Sequence, residues 1–283
     1  MIRVVSDTAA NLSKELIDKL KITIVNFQYF VDGKLQGNDF DGKKYYDSIR
    51  NGAETKTSLI SVGQFVETFE EIISKGEEVL FVGLSSGVSG TINSATLAKQ
   101  QICQERPESK IEIIDSLAAG MGEGMLAIEA SKLVSNTKNT LEAIRDELLK
   151  LRGKICQYFT VDDLKYLKRT GRISSTAAFV GNALKIKPIL TGSEDGHIIL
   201  IDKAIGVNHA YKQLANKYEQ LAEDKNDDVY ITHTDNEKGA LFLLDKLKEK
   251  GLKGQCHISI HEPMTGSHLG PGSVALFFKG IHK

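Results

Sequence analysis

A two-domain α/β fold is what this sequence predicts. An N-terminal parallel-sheet α/β domain is expected over 1–153 and a C-terminal mixed α/β domain over 154–283, with the ligand between them. Three observations predict this. Strand-length apolar runs alternate with helix-period segments through the first half, the pattern of β-α-β crossovers. In the second half some strands are joined as hairpins and others follow helices, which gives a mixed sheet. Gly153 separates a long helical segment from a new strand and marks the boundary.

In order, Ile2–Val5 reads as a short buried strand leaving through Ser6-Asp7-Thr8, with Asn11 or Ser13 able to cap a helix over Lys14–Leu20. Asp7 and Thr8 either organise that turn or face a ligand at the strand's carboxyl end. Ile22–Val31 is β-rich and closes at Asp32-Gly33, a hairpin turn signal. Asp41 starts a helix reaching Ile49, and Ser61 caps one carrying Phe65, Phe69, Ile72 and Ile73 on a single face. Ile111–Asp115 is a strand leaving through Asp115-Ser116; helices follow over roughly Ala118–Leu133 and Leu141–Leu151. In the second half, Ile155–Val161 is a strand, followed by a short helix that Gly171 ends and a helix over Ser174–Ala183. Strands over Lys185–Leu190 and His197–Ile201 form a hairpin, and a helix covers Val207–Leu221. Strand Val229–Thr234, helix Lys238–Lys250 and strands Gln255–Ile260 and Val274–Phe278 complete the domain. The glycine- and proline-punctuated stretch 261–272 is expected to be a loop.

The most informative stretch is Val79-Leu80-Phe81-Val82-Gly83-Leu84-Ser85-Ser86-Gly87-Val88-Ser89-Gly90-Thr91, a buried strand that breaks into small and hydroxyl residues before a helix. Such a loop collects what an anion needs: unpaired N–H groups, the positive end of a helix dipole, and hydroxyls from Ser85, Ser86, Ser89 and Thr91. Gly87 and Gly90 let the backbone approach a ligand closely.

Composition excludes several function classes. The 283 residues are 41% hydrophobic and 26% charged, a globular balance, and a net charge of −1 gives no electrostatic case for nucleic acid. Cys103, Cys156 and Cys256 are too few for a disulfide framework and read as reduced thiols of a cytoplasmic protein. Met1–Asp7 is already a strand rather than a signal peptide, and no apolar run approaches the roughly 20 residues of a membrane span. Neither Gly-x-x-x-x-Gly-Lys-Ser/Thr nor Gly-x-Gly-x-x-Gly occurs, so no nucleotide cofactor is implied. Gly87-Val88-Ser89-Gly90-Thr91 approaches a nucleophile elbow, but its last position is Thr and no Asp…His pair follows in the required order. His257 and His261 lie about 13 Å apart along a strand, too far to share a metal ion. In the basic run Lys165, Lys168, Arg169 and Arg172, only Arg172, after the helix break at Gly171, is placed to meet a carboxylate. Taken alone, His268 reads as a surface residue.

Ser6-Asp7-Thr8-Ala9, Lys56-Thr57-Ser58, Leu84 to Thr91, Asp115-Ser116, Leu167 to Ser174, Lys187-Pro188-Ile189 and His268-Leu269-Gly270-Pro271-Gly272, taken together and in this order, resemble the DegV family over nearly the whole chain. The resemblance implies a bacterial cytosolic protein that binds a long-chain fatty acid and, in some members, serves a fatty acid kinase. A separate ATP-binding kinase subunit then converts the presented carboxylate to an acyl phosphate. It implies a carboxylate held by Thr57, Ser58, Ser89 and Gly90, with Arg172 and His268 in the surrounding hydrogen-bonding network. No catalytic residue, metal or cofactor of the chain's own is implied, and ligand exchange would involve transient membrane contact. One departure is Lys56, where many members have threonine. The acyl chain needs a long apolar slot, for which Phe159, Phe179, Ile186 and Phe277 are candidates. The competing reading is a phosphosugar-binding protein or isomerase whose Ser/Gly/Thr loop holds a phosphate.

Overall fold

The structure, a computed structural model, describes residues 1–37, 40–173 and 186–283. The helix expected over Ser174–Ala183, and Phe179 with it, lies outside the described residues. The chain opens with β1 (Ile2–Asp7), a 3₁₀ turn at Thr8–Ala10, α1 (Lys14–Leu20), β2 (Thr23–Val25), β3 (Tyr29–Val31), β4 (Lys34–Leu35), α2 (Gly42–Arg50) and β5 (Thr55–Thr57). It continues through α3 (Val62–Ile73), β6 (Glu78–Gly83), α4 (Thr91–Glu105), β7 (Ile111–Asp115), α5 (Met121–Ser135) and α6 (Leu141–Arg152). Then come β8 (Ile155–Thr160), α7 (Lys165–Arg169), β9 (Ile186–Gly192), β10 (Ile198–Ile205) and α8 (Val207–Leu221). The last elements are β11 (Val229–His233), α9 (Glu237–Glu249), β12 (Cys256–Ile260), α10 (Pro263–Leu269) and β13 (Val274–Lys279).

Contacts divide the chain into two compact units, Met1–Gln28 with Thr57–Gly153, and Tyr29–Lys56 with Lys154–Lys283. The first holds an all-parallel sheet in the order β2-β1-β6-β7. Its central strand is an unbroken apolar run, Val79 to Val82, because helices cover both faces and every residue is buried. Phe65 and Phe69 of α3 pack on Phe81, with the Phe65 and Phe81 rings 4.9 Å apart and edge-to-face. Each buried phenylalanine of this kind contributes about 2 kcal/mol. Local chemistry sets the helix starts: Ser13 and Thr140 cap α1 and α6, and Ser61 with Gln64 forms a reciprocal capping box on α3.

The second unit is built on a six-stranded mixed sheet, order β10-β9-β8-β13-β11-β12. The last strand of the chain, β13, lies in its interior, antiparallel to β8 and β11. One face packs on α8 and α9 through a core that includes Tyr158, Leu214, Tyr218, Ile231, Leu243 and Phe278. Strand register places Phe159, Leu190, Ala275 and Phe277 on the opposite face, and alternation along β9 adds Ile186. Of these, Phe159, Leu190, Ala275 and Phe277 are buried although they lie outside the helix-packed core.

The segment Tyr29–Lys56 belongs to this second unit although it precedes most of the first in sequence. The reason is packing and polar satisfaction. The buried Tyr46 hydroxyl donates to the His261 carbonyl at 2.7 Å, and Arg50 pairs with Asp235. Gly42 is needed where it stands, since a Cβ there would lie 2.0 Å from Ile260 Cδ1. Asp32 and Gly33 take φ of +48° and +75°, as a two-residue hairpin turn of the predicted kind requires.

Two local expectations are corrected. Residues 263–269 form helix α10 rather than a loop: the Glu262 carboxylate caps it by accepting from the N–H groups of Met264 and Thr265, Pro263 fits its first turn, and Met264 and Leu269 are buried. The helix expected from Ala118 begins at Met121, because Leu117 and Gly120 take φ of +50° and +58° and Ser116 ties a turn back onto Ala118. Among the described residues, no helix is long and apolar enough to cross a membrane.

Candidate functional site

In the first unit β6 ends at Gly83, and the next residues are braced from below. Leu84 N–H donates to Asp7 Oδ2 at 3.1 Å, Ser85 N–H to the Ala118 carbonyl at 2.9 Å, and Ser86 N–H to Asp115 Oδ1 at 3.1 Å. Ser85 then closes the turn, its carbonyl accepting from Val88 and Ser89 and its Oγ from Gly87 N–H. Ser85 is therefore buried and committed to holding the loop, which corrects the expectation that its hydroxyl faces a ligand. The Asp7 and Asp115 carboxylates brace the loop in the same way. Sequence reading had an Asp at each strand end but no signal that tied either to this loop.

What remains of the loop points outward. Ser89 Oγ lies 2.9 Å from Thr91 Oγ1 and accepts from Thr91 N–H at 3.3 Å. No side chain caps α4 at Gly90. Among the described residues, the N–H groups of Gly90, Ile92 and Asn93 have no protein acceptor, as the first turn of a helix dictates. A 15-residue helix thus offers its positive end, three N–H donors and a half-buried hydroxyl to one spot. The segment carrying Thr57 and Ser58 comes alongside: a Cβ on Gly90 would lie 3.5 Å from Leu59 Cδ1, an ordinary contact. Ser58 is anchored by its N–H to the Gln28 carbonyl at 2.9 Å. Thr57, Ser58, Ser89 and Gly90 all belong to the first compact unit. Lys56, beside them in sequence, is exposed.

Arg172 and His268 come together in the second unit. His268 is in the last turn of α10 and largely withdrawn from water, not on an exposed turn as its sequence context alone suggests. Burial, then the positive charges of Arg172 and Arg169, push its pKa down to about 4, so it is neutral at pH 7. Arg172 is half-buried, donates to the Thr170 carbonyl, and is shifted down by desolvation. A neutral imidazole beside a guanidinium offers one fixed charge and a hydrogen-bonding partner to an acidic group.

Other chemistries find little here. Ser89 has a hydroxyl neighbour and, among the described residues, no histidine in hydrogen-bond contact, so nothing positions a base to deprotonate it. His261 is fully buried between Thr232 and Thr265, with Nδ1 2.6 Å and Nε2 2.5 Å from their hydroxyls, and burial holds its pKa down to about 3. His257 pairs with Asp228 at the surface. No cluster of three or more potential metal ligands occurs among the described residues.

Comparison with known proteins identifies relatives of the whole chain. A DegV domain-containing protein of Clostridium perfringens is 33% identical over 283 residues, covering 98% of this chain and 97% of its own length. A solved DegV family protein of Thermus thermophilus, described for its fatty acid binding, superposes with a TM-score of 0.89 at 26% identity, covering 99% of both chains. DegV of Bacillus subtilis, described as a fatty acid binding protein, superposes with a TM-score of 0.85 at 28% identity over 98% of each chain. The family model described as "Uncharacterised protein, DegV family" matches residues 1–280, from the first strand to the end of the last, so this chain belongs to the DegV family.

Proposed function

We propose that this chain binds a long-chain fatty acid, buries its acyl chain and presents the carboxylate to a separate ATP-binding kinase subunit for conversion to an acyl phosphate. It acts in the cytoplasm, without catalytic residues of its own. Thr57, Ser58, Ser89 and Gly90 hold the carboxylate, and Arg172 and His268 belong to the hydrogen-bonding network around it. The tail uses the apolar sheet face that carries Phe159, Ile186 and Phe277. The observation that carries this reading is the unpaired set of N–H groups at Gly90, Ile92 and Asn93 beside the Ser89 hydroxyl. Such neutral donors suit a singly charged carboxylate, and also the more highly charged product. Fatty acid binding by relatives of the same fold supports the assignment of the ligand.

Thermal shift against a panel of fatty acids and sugar phosphates tests it. Fatty acids should raise the melting temperature, with affinity climbing as the chain lengthens by about 0.8 kcal/mol per buried methylene until the slot is full. Stabilisation by sugar phosphates alone would support the phosphosugar reading. No response to any acid, together with no acyl ligand in native mass spectra, rejects the proposal.

A further inference from the structure

We propose that the cleft where α8 and α9 begin is a second ligand site, separate from the hydroxyl loop, and that it takes a phosphate monoester carried on an aromatic ring system of mononucleotide size. The cleft has a volume of about 380 Å³, within the range of small-molecule sites, and its walls all come from the second unit. Val207 and Asn208 open α8 on one side, and Lys238 and Gly239 lie in the first turn of α9 on the other. Lys187, also on the wall, pairs in register with Ala204, a residue of the helix-packed core. The cleft is therefore on the side of the sheet that α8 and α9 cover. The acyl chain is assigned to the opposite face, so the two ligands do not compete for space.

A buried hydroxyl on the wall points to a ligand. Tyr211 is 3% exposed, lines the cleft, and its Oη accepts from Asn236 Nδ2 at 2.9 Å. Its own hydrogen has no acceptor among the described residues. A buried donor left in this way costs free energy until an acceptor arrives. Gly239 makes room for it, since a Cβ there would lie 2.3 Å from Tyr211 Oη. The remaining groups select the charge. No side chain caps α8, and the N–H groups of Val207, Asn208 and His209 have no protein acceptor among the described residues. Helices of 15 and 13 residues thus bring their positive ends to one cleft. Asp162 is the acidic side chain on the wall, and Lys187 neutralises it with Nζ 2.6 Å from Oδ1. Lys238 has no ion pair among the described residues and is left as net positive charge. Several neutral donors and one unpaired ammonium suit a doubly charged phosphate. The Tyr211 and Phe242 rings, with centroids 6.0 Å apart, supply an aromatic wall for a flat ring.

Amide NMR with AMP as the probe tests this, with adenosine, inorganic phosphate and ribose 5-phosphate alongside. AMP should shift the amides of residues 207–209 and 237–239 and leave those of residues 89–93 in place. It should bind at least about tenfold more tightly than any of the other three, because only AMP engages the aromatic wall and the helix starts together. Tyr211→Phe keeps the ring and removes the free donor, and should weaken AMP by about tenfold. Lys238→Ala, at an exposed side chain where folding is not at stake, should weaken AMP severalfold and flatten its salt dependence. The proposal is overturned by the absence of these shifts at about 10 mM AMP, or by shifts confined to residues 89–93. Phosphate or ribose 5-phosphate binding as tightly as AMP, or an affinity that neither variant moves, overturns it as well.

Discussion

The side-chain oxygens of Ser89 and Thr91 lie 2.9 Å apart at the start of α4, with Thr91 buried and Ser89 half-exposed. Thr91 Oγ1 and Thr91 N–H together fix the direction of the Ser89 hydroxyl, so little rotamer freedom is left to lose when an anion arrives. Ser89→Ala should therefore weaken fatty acid binding by about tenfold or more, the usual size of a hydrogen bond to a charged acceptor, with the fold intact. Calorimetric titration checks the first part and circular dichroism the second.

Acid should destabilise the protein, with a predictable shape. His261 and His268 have native pKa values of about 3 and about 4, below the 6.5 of an unfolded histidine, so their contribution is present above that value and is lost as pH falls. Asp7 works the other way. Its native value of about 6 exceeds 3.8, so its contribution is full below 3.8 and is lost as pH rises through 6. Two protons against one leave a net fall of about 1.4 kcal/mol per pH unit between about pH 6 and pH 4. Urea denaturation across this range measures it. Asp7→Asn removes the opposing proton, so the fall should become steeper.

Gly124 in α5 has no room for a side chain: a Cβ would lie 2.4 Å from the Ala10 carbonyl oxygen, a backbone atom that cannot swing aside. Gly124→Ala should cost about 1–3 kcal/mol and lower the melting temperature by several degrees. Gly63 in α3 is the contrast, because its nearest neighbour, Ser61 Oγ, would be 3.9 Å away. Gly63→Ala should gain up to about 1 kcal/mol from helix propensity alone.

Lys56 is exposed and next in sequence to Thr57-Ser58, so on the proposed function its ammonium is expected to attract the head group through water rather than by contact. Lys56→Thr should change low-salt affinity for a fatty acid by less than about threefold and make the affinity less sensitive to added salt. A loss of about tenfold or more would place the ammonium in direct contact with the head group instead.

Much of this was legible in the sequence because it is written locally. Helix caps at Ser13, Asp41 and Ser61, the turn at Asp32-Gly33 and the boundaries of α8 follow from short-range hydrogen bonding and periodicity. The stretch at Pro263–Leu269 was not legible. Its helix depends on a glutamate cap and on the burial of Met264 and Leu269, while Gly266 inside it argues for a loop. Gly266 is there because a Cβ would lie 2.0 Å from the Tyr46 hydroxyl oxygen, a neighbour 220 positions away that no local pattern reveals. His268 was misjudged for the same reason, since a histidine's exposure depends on what packs over its helix.

By itself, then, the sequence determined most of the strands and helices, the family and the hydroxyl-rich loop before α4, because each is encoded in neighbouring residues. Tertiary structure alone decided which loop donors stay available, since Ser85 is consumed internally while Gly90, Ile92 and Asn93 are not. It also buried Asp7 and assigned Tyr29–Lys56 to the second unit. Those outcomes depend on desolvation and on partners far away along the chain, and both exist only once the backbone has been brought together.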